Sequence, residues 1–235
     1  MSYILERLAL PSKKCGYDKC LPHLIFIPRS DCHFVPAIYY ILDTSLPTIL
    51  VSHGNGNDIS DYDIESLSYV WNANIIIYDY SNYGLHTCKE PGEEYCFMDS
   101  LAVYHFLINN GVENIVLYGY SIGTGVTCNL AYYLGNKGIY PKMILVSCFK
   151  SIWNAVLFFS LPCDIFKTHQ IAPYLKNEVL FIHGFMDWVT PYTPARELAH
   201  TFPNVYKFHT IGCCNHNNII HHPEHDEEIN KFVHT

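Results

Sequence analysis

The sequence predicts an α/β fold in one domain, residues 1–235, with a mostly parallel sheet of about eight strands and helices on both faces. Three observations predict it. Apolar runs alternate with stretches of helical periodicity along the chain. The middle runs, such as Ile75-Ile76-Ile77, are continuous and β-branched, as expected of strands covered on both faces. Finally, Ile115-Val116-Leu117-Tyr118 leads directly into Gly119-Tyr120-Ser121-Ile122-Gly123, a Gly-x-Ser-x-Gly at a strand-to-helix junction.

In chain order, Leu24 to Pro28 and Val35 to Leu42 read as two early strands. Thr48 to Ser52, Asn74 to Asp79, Asn114 to Tyr118, Lys142 to Ser147, Glu178 to His183 and Val205 to Thr210 read as six more. Helical patterns fall between them, at Ser60 to Trp71, Tyr95 to Asn109, Ile122 to Leu134, Pro194 to Thr201 and Glu224 to Val233. In such folds ligands sit beyond the carboxyl ends of the strands, so those ends are where chemistry is sought.

The composition narrows the function classes. The 235 residues carry 14 Lys+Arg against 22 Asp+Glu, a formal charge of −8, with no basic run beyond Lys13-Lys14. Nucleic acid is therefore not an expected partner. No apolar run approaches the ~18 residues of a membrane span. Ten cysteines without a signal-like start are expected to be reduced thiols in a cytoplasmic protein, with peripheral membrane contact left open.

Three strand ends and one loop carry the candidate chemistry. His53-Gly54-Asn55 follows one strand, the Ser121 elbow another, and His183-Gly184-Phe185-Met186-Asp187 a third; Gly212-Cys213-Cys214-Asn215-His216 follows the last. A serine hydroxyl is a weak nucleophile until a base takes its proton. His216 is the candidate base, since imidazole as a class titrates near neutrality. Asp187 is the candidate that orients it and stabilises the imidazolium. The backbone N–H groups of Ile122 and Asn55 are candidate donors to a developing oxyanion.

Together with Ser52-His53-Gly54-Asn55, Tyr78-Asp79-Tyr80-Ser81-Asn82-Tyr83-Gly84 and Tyr118-Gly119-Tyr120-Ser121-Ile122-Gly123-Thr124, this order of motifs resembles the α/β-hydrolase superfamily. Within it, the motifs are similar to the α/β-hydrolase domain-17 group, which includes protein depalmitoylases. The resemblance spans roughly Leu24 to Val233. It implies an α/β-hydrolase fold and a serine esterase or thioesterase working through an acyl-enzyme. It also implies Ser121, Asp187 and His216 as catalytic residues, and an acylated small molecule, lipid or protein as substrate. A monoacylglycerol-type lipid esterase and a non-catalytic binding protein are the alternatives. The chain departs from the group in having only Cys15 and Cys20 near its start, and in carrying Cys213-Cys214 where small glycines usually precede the histidine.

The stretch 148–176 falls where this fold inserts a lid, and Trp153 and Phe158 there are candidate walls of an acyl pocket. Asp164 is a rival for the triad acid. No cofactor and no metal are expected, since His221, His222 and His225 lack a strong zinc spacing and Pro223 interrupts them.

Overall fold

A computed structural model describes residues 6, 9–11, 15–157 and 164–235, without the side chains of 156 and 157. All eight expected strands form: β1 (Leu24–Pro28), β2 (Phe34–Tyr40), β3 (Thr48–Ser52), β4 (Asn74–Tyr78), β5 (Ile115–Tyr120), β6 (Met143–Val146), β7 (Val179–Gly184) and β8 (Val205–Ile211). They make one sheet in the order β1-β2-β4-β3-β5-β6-β7-β8. β2 pairs antiparallel with both β1 and β4, and every other pair is parallel. Seven α-helices are described: α1 (Ile64–Trp71), α2 (Glu93–Asn109), α3 (Ile122–Gly135), α4 (Ile152–Leu157), α5 (Thr168–Ile171), α6 (Tyr192–Ala199) and α7 (Pro223–Val233).

The alternation of side chains along each strand builds two cores. Leu50, Ile76, Leu117, Leu145 and Phe181 point to one face, where Val103 and Leu107 of α2, Val126 and Leu130 of α3 and Leu198 of α6 cover them. Ile49, Val51, Ile75, Ile77, Val116, Ile144 and Leu180 point to the other, covered by Ile64 and Trp71 of α1 and by Ile229 and Phe232 of α7. Both faces of the central strands are thus dry, which is why these runs are continuous rather than alternating in the sequence.

The expected helix from Ser60 to Trp71 is two elements. Asp58 caps a 3-10 turn at Ile59–Asp61, and Asp63 caps α1 by accepting from Ser66 N–H. Two N-capping aspartates five residues apart each start a helix, so the chain turns between them. At the C-terminal helix, two acidic side chains make tertiary ties. Asp226 accepts from the Trp71 indole at 2.9 Å, and Glu228 pairs with Lys207 at 2.6 Å, which ties α7 to α1 and to β8.

The stretch expected to form a lid is partly core. Ile165, Phe166, Ala172 and Leu175 are buried, and the Phe166 ring packs directly on Gly125 of α3. Asp164 is not placed as a triad acid. It accepts from Ser151 Oγ at 2.6 Å and from the N–H groups of Trp153 and Ile165 at 2.9 Å each, which holds the start of α4. Trp153 is half-buried on α4, and Phe158 lies outside the described residues.

Candidate active site

The chain leaves β3 toward β4 on one side and returns as β5 on the other, so a crevice opens at the carboxyl ends of β3 and β5. Ser121 stands there between β5 and α3, with φ 53° and ψ −120°. That conformation is costly for any residue with a side chain, and it is held by tight packing around the turn. A Cβ on Gly119 would lie 2.5 Å from the Gly123 carbonyl oxygen, and a Cβ on Gly123 only 2.0 Å from that of Ser52. Glycine at both positions is what lets α3 start hard against β3 and lift the serine hydroxyl above the sheet.

The structure brings Ser121, His216 and Asp187 together. His216 Nε2 lies 2.9 Å from Ser121 Oγ, and His216 Nδ1 lies 2.8 Å from Asp187 Oδ2. With the carboxylate accepting at Nδ1, the imidazole carries its proton there and presents Nε2 to the serine. Asp187 sits in an Asx-type turn: its Oδ1 accepts from the N–H groups of Val189 and Thr190 at 2.9 and 2.8 Å. Thr190 Oγ1 donates to Oδ2 at 2.9 Å and stands 3.3 Å from His216 Nδ1. Burial pushes the Asp187 pKa up. The hydrogen bond and charge of His216, joined by the Thr190 N–H, outweigh it, and the carboxyl ends below its usual range. His183, buried beneath this turn, is pushed down by desolvation and bonds to the Thr190 carbonyl at 2.8 Å.

Sequence reasoning missed two residues that hold His216 in place. Thr190 is one; the Asp-x-x-Thr spacing of a capped turn is the signal that could have found it. Tyr120 is the other, the residue before the serine in the Gly-x-Ser motif. Its ring lies 5.5 Å from the His216 ring at 31°, and its hydroxyl donates to the His216 carbonyl at 2.7 Å. Burial, with Asp187 nearby, raises the Tyr120 phenol to about 12, so it stays a donor.

Asn55 reaches the same crevice from β3. Its side chain is used for scaffolding: Oδ1 accepts from the Tyr83 hydroxyl at 2.6 Å and Nδ2 donates to the Ala9 carbonyl at 2.8 Å. Tyr80 supports the preceding turn by donating to the His53 carbonyl at 2.7 Å. The Tyr78-to-Gly84 motif therefore acts as a floor for the Asn55 loop. Ser81 is anchored below by Asp99, which also pairs with the buried Arg29 at 2.5 Å and with His86 at 3.0 Å. Among the described residues the backbone N–H groups of Asn55 and Ile122 have no protein partner, and the latter is an unpaired first N–H of a helix.

The tail histidines diverge. His225 is buried against Tyr118, with Nε2 3.2 Å from its hydroxyl and Nδ1 2.9 Å from Asp226, while His222 caps α7. An apolar surface the sequence did not single out flanks the acid. Phe185, Met186, Trp188 and Val189 are 60%, 53%, 87% and 55% exposed around the buried Asp187.

Residues 44–160 match the family model described as steryl acetyl hydrolase. The α/β-hydrolase domain-containing protein aho-3 of Caenorhabditis elegans is 27% identical over 232 residues, covering 97% of this chain and 69% of the relative. The α/β-hydrolase domain-containing protein 17C of Homo sapiens is 30% identical over 215 residues, covering 87% of this chain and 62% of the relative. Est1E from Butyrivibrio proteoclasticus, solved with ferulic acid, superposes with a TM-score of 0.75 at 17% identity, covering 89% of this chain and 97% of that one. The fold and the comparisons define an α/β-hydrolase, and the chain belongs to that family. Within the family its sequence is similar to the domain-17 proteins. It spans 61% to 64% of the length of the 17C relatives.

Proposed function

We propose that this hydrolase cleaves an acyl ester or thioester through an acyl-enzyme on Ser121, with protein depalmitoylation as the leading activity. The observation that carries the proposal is the continuous relay from Ser121 Oγ through His216 to Asp187, at 2.9 and 2.8 Å. In the first step Ser121 Oγ attacks the acyl carbonyl and its proton passes to His216 Nε2. Asp187 stabilises the imidazolium through Nδ1–H. The carbonyl oxygen, now an oxyanion, takes the N–H groups of Ile122 and Asn55. As the tetrahedral centre collapses, His216 returns the proton to the departing sulfur or oxygen. Water, deprotonated by His216, then releases the acid and restores Ser121.

The acyl reading draws support from the apolar surface next to the acid. Phe185, Met186, Trp188 and Val189 are exposed within two residues of Asp187, an arrangement suited to an acyl chain or the membrane that carries it. Trp153 on α4 remains a candidate wall of the same site.

The test is labelling with a fluorophosphonate, then turnover of matched acyl thioesters and esters. Wild type should label at Ser121, and Ser121→Ala should label nowhere while keeping its fold. Labelling of the mutant at another residue would overturn the nucleophile assignment. Cleavage of monoacylglycerols with none of S-acyl peptides would replace the depalmitoylase reading with lipid esterase.

A further inference from the structure

The turn that carries the base holds a second cluster that hydrolysis does not use. The chain turns at Ile211–Cys214, with Cys214 N–H bonded to the Ile211 carbonyl at 3.3 Å. Cys213 is exposed and Cys214 is buried. His222, the cap of α7, reaches back so that its Nε2 lies 3.6 Å from Cys213 Sγ. The two thiols and this imidazole each offer a ligand atom, and the three atoms lie within 4.8 Å of one another.

We propose that Cys213, Cys214 and His222 form a binding site for a thiophilic divalent cation, zinc above all, that clasps the base loop to the start of α7. The donor chemistry selects the ion: two sulfurs and one imidazole suit zinc and exclude magnesium and calcium, which take oxygen. The geometry is close to what tetrahedral zinc needs. Zinc–sulfur and zinc–nitrogen bonds of about 2.3 and 2.05 Å put the two donor atoms about 3.5 Å apart, near the 3.6 Å seen between Cys213 and His222. Cys214 Sγ lies within 4.8 Å of both other donor atoms, and binding would draw it in to about 3.5–3.8 Å of them. Because Cys213 is exposed, the fourth position opens to water.

Binding balances as follows. Each thiol gives its proton to solvent as its sulfur–metal bond forms. His222 Nδ1 accepts from the Glu224 N–H at 3.3 Å, so the neutral ring carries its proton on Nε2. That proton moves to Nδ1 when Nε2 takes the metal, and the long bond from Glu224 is given up. Two protons leave per cation.

The clasp bears on the site because of what else this turn supports. His216 is two residues beyond Cys214, and the Cys214 carbonyl accepts from Met186 N–H at 3.0 Å, one residue before Asp187. A cation joining this turn to α7 would therefore fix the loops of both the base and the acid from behind, without touching Ser121.

The experiment titrates the reduced protein with Co2+ and then Zn2+ in the presence of a non-thiol reductant. The expected result is one site per chain at micromolar or tighter affinity, with a thiolate-to-cobalt charge-transfer band and tetrahedral d–d bands that Zn2+ abolishes. Calorimetry in two buffers should return about two protons per zinc. At zinc a hundredfold above Kd, the melting temperature should rise by about 5 °C or more. Cys213→Ser at an exposed position and His222→Ala at a half-buried one, both outside the hydrolytic relay, should each weaken binding at least tenfold, whereas Cys20→Ser should not. Cobalt bound without a thiolate band, affinity in the millimolar range, or unchanged binding by Cys213→Ser would each overturn the site.

Discussion

Thr190 Oγ1 lies 2.9 Å from Asp187 Oδ2 and 3.3 Å from His216 Nδ1, so one hydroxyl touches both the acid and the ring that the acid orients. The backbone N–H of the same residue donates to the other carboxylate oxygen at 2.8 Å. Asp187 is thereby pinned at both oxygens and has one direction left in which to accept from the imidazole.

Removing parts of this arrangement should separate charge from positioning. Asp187→Asn should lower turnover by about 10⁴, because the amide favours the wrong imidazole tautomer. Thr190→Val keeps the shape and the N–H but loses the hydroxyl. It should cost about tenfold in kcat and about 1.5 kcal/mol in stability, as for a hydrogen bond to a charged group. Steady-state kinetics with urea unfolding reads both, and equal losses in the two variants would contradict the division of roles.

Tyr83→Phe should act on the Asn55 loop. The Tyr83 hydroxyl donates to Asn55 Oδ1 at 2.6 Å, and without it the side chain keeps, among the described residues, its bond to the Ala9 carbonyl. With Asn55 N–H as the proposed oxyanion donor, a looser loop should lower kcat about tenfold with little change in KM, since the contact matures in the transition state. A change confined to KM would instead mark Asn55 as a ground-state binding residue.

The depressed pKa of Asp187 sets a sign for acid stability. A carboxyl whose folded pKa lies below its unfolded value of about 3.9 stabilises the fold fully above that value. The contribution is lost as pH falls through the folded pKa. The difference in unfolding free energy between wild type and Asp187→Asn should thus be steady from about pH 5 to 7 and shrink below about pH 4. Urea titrations at each pH measure it, and a constant difference down to about pH 2 would contradict the assignment.

The exposed Trp188 loop predicts a chain-length dependence. Burial of each methylene is worth about 0.8 kcal/mol, so kcat/KM should rise up to about fourfold per added carbon until the surface is covered. Replacing Trp188 and Met186 with serine should flatten that series while leaving acetyl ester hydrolysis intact. Equal kcat/KM for acetyl and octanoyl thioesters in the wild type would remove the acyl role from this loop.

Local signals were enough to read the eight strands, because apolar β-branched runs of that length have few other stable homes, and to read the elbow, because only glycine fits at positions 119 and 123. The order of Ser121, Asp187 and His216 was legible for the same reason: each follows a strand whose end could be seen in the sequence. What decides between Asp187 and Asp164 is not local. Both are acids near apolar segments, and only the packed sheet puts one against His216 while the other closes the start of α4 on Ser151. The same holds for Phe166, which lies in the stretch 148–176 expected as a lid and which the fold buries on Gly125, and for Trp188, which the fold leaves exposed. Hydrophobicity states that a side chain prefers to be covered. Which ones are covered, and which polar groups meet across 95 residues of chain, as His216 and Ser121 do, depends on how the elements pack in three dimensions.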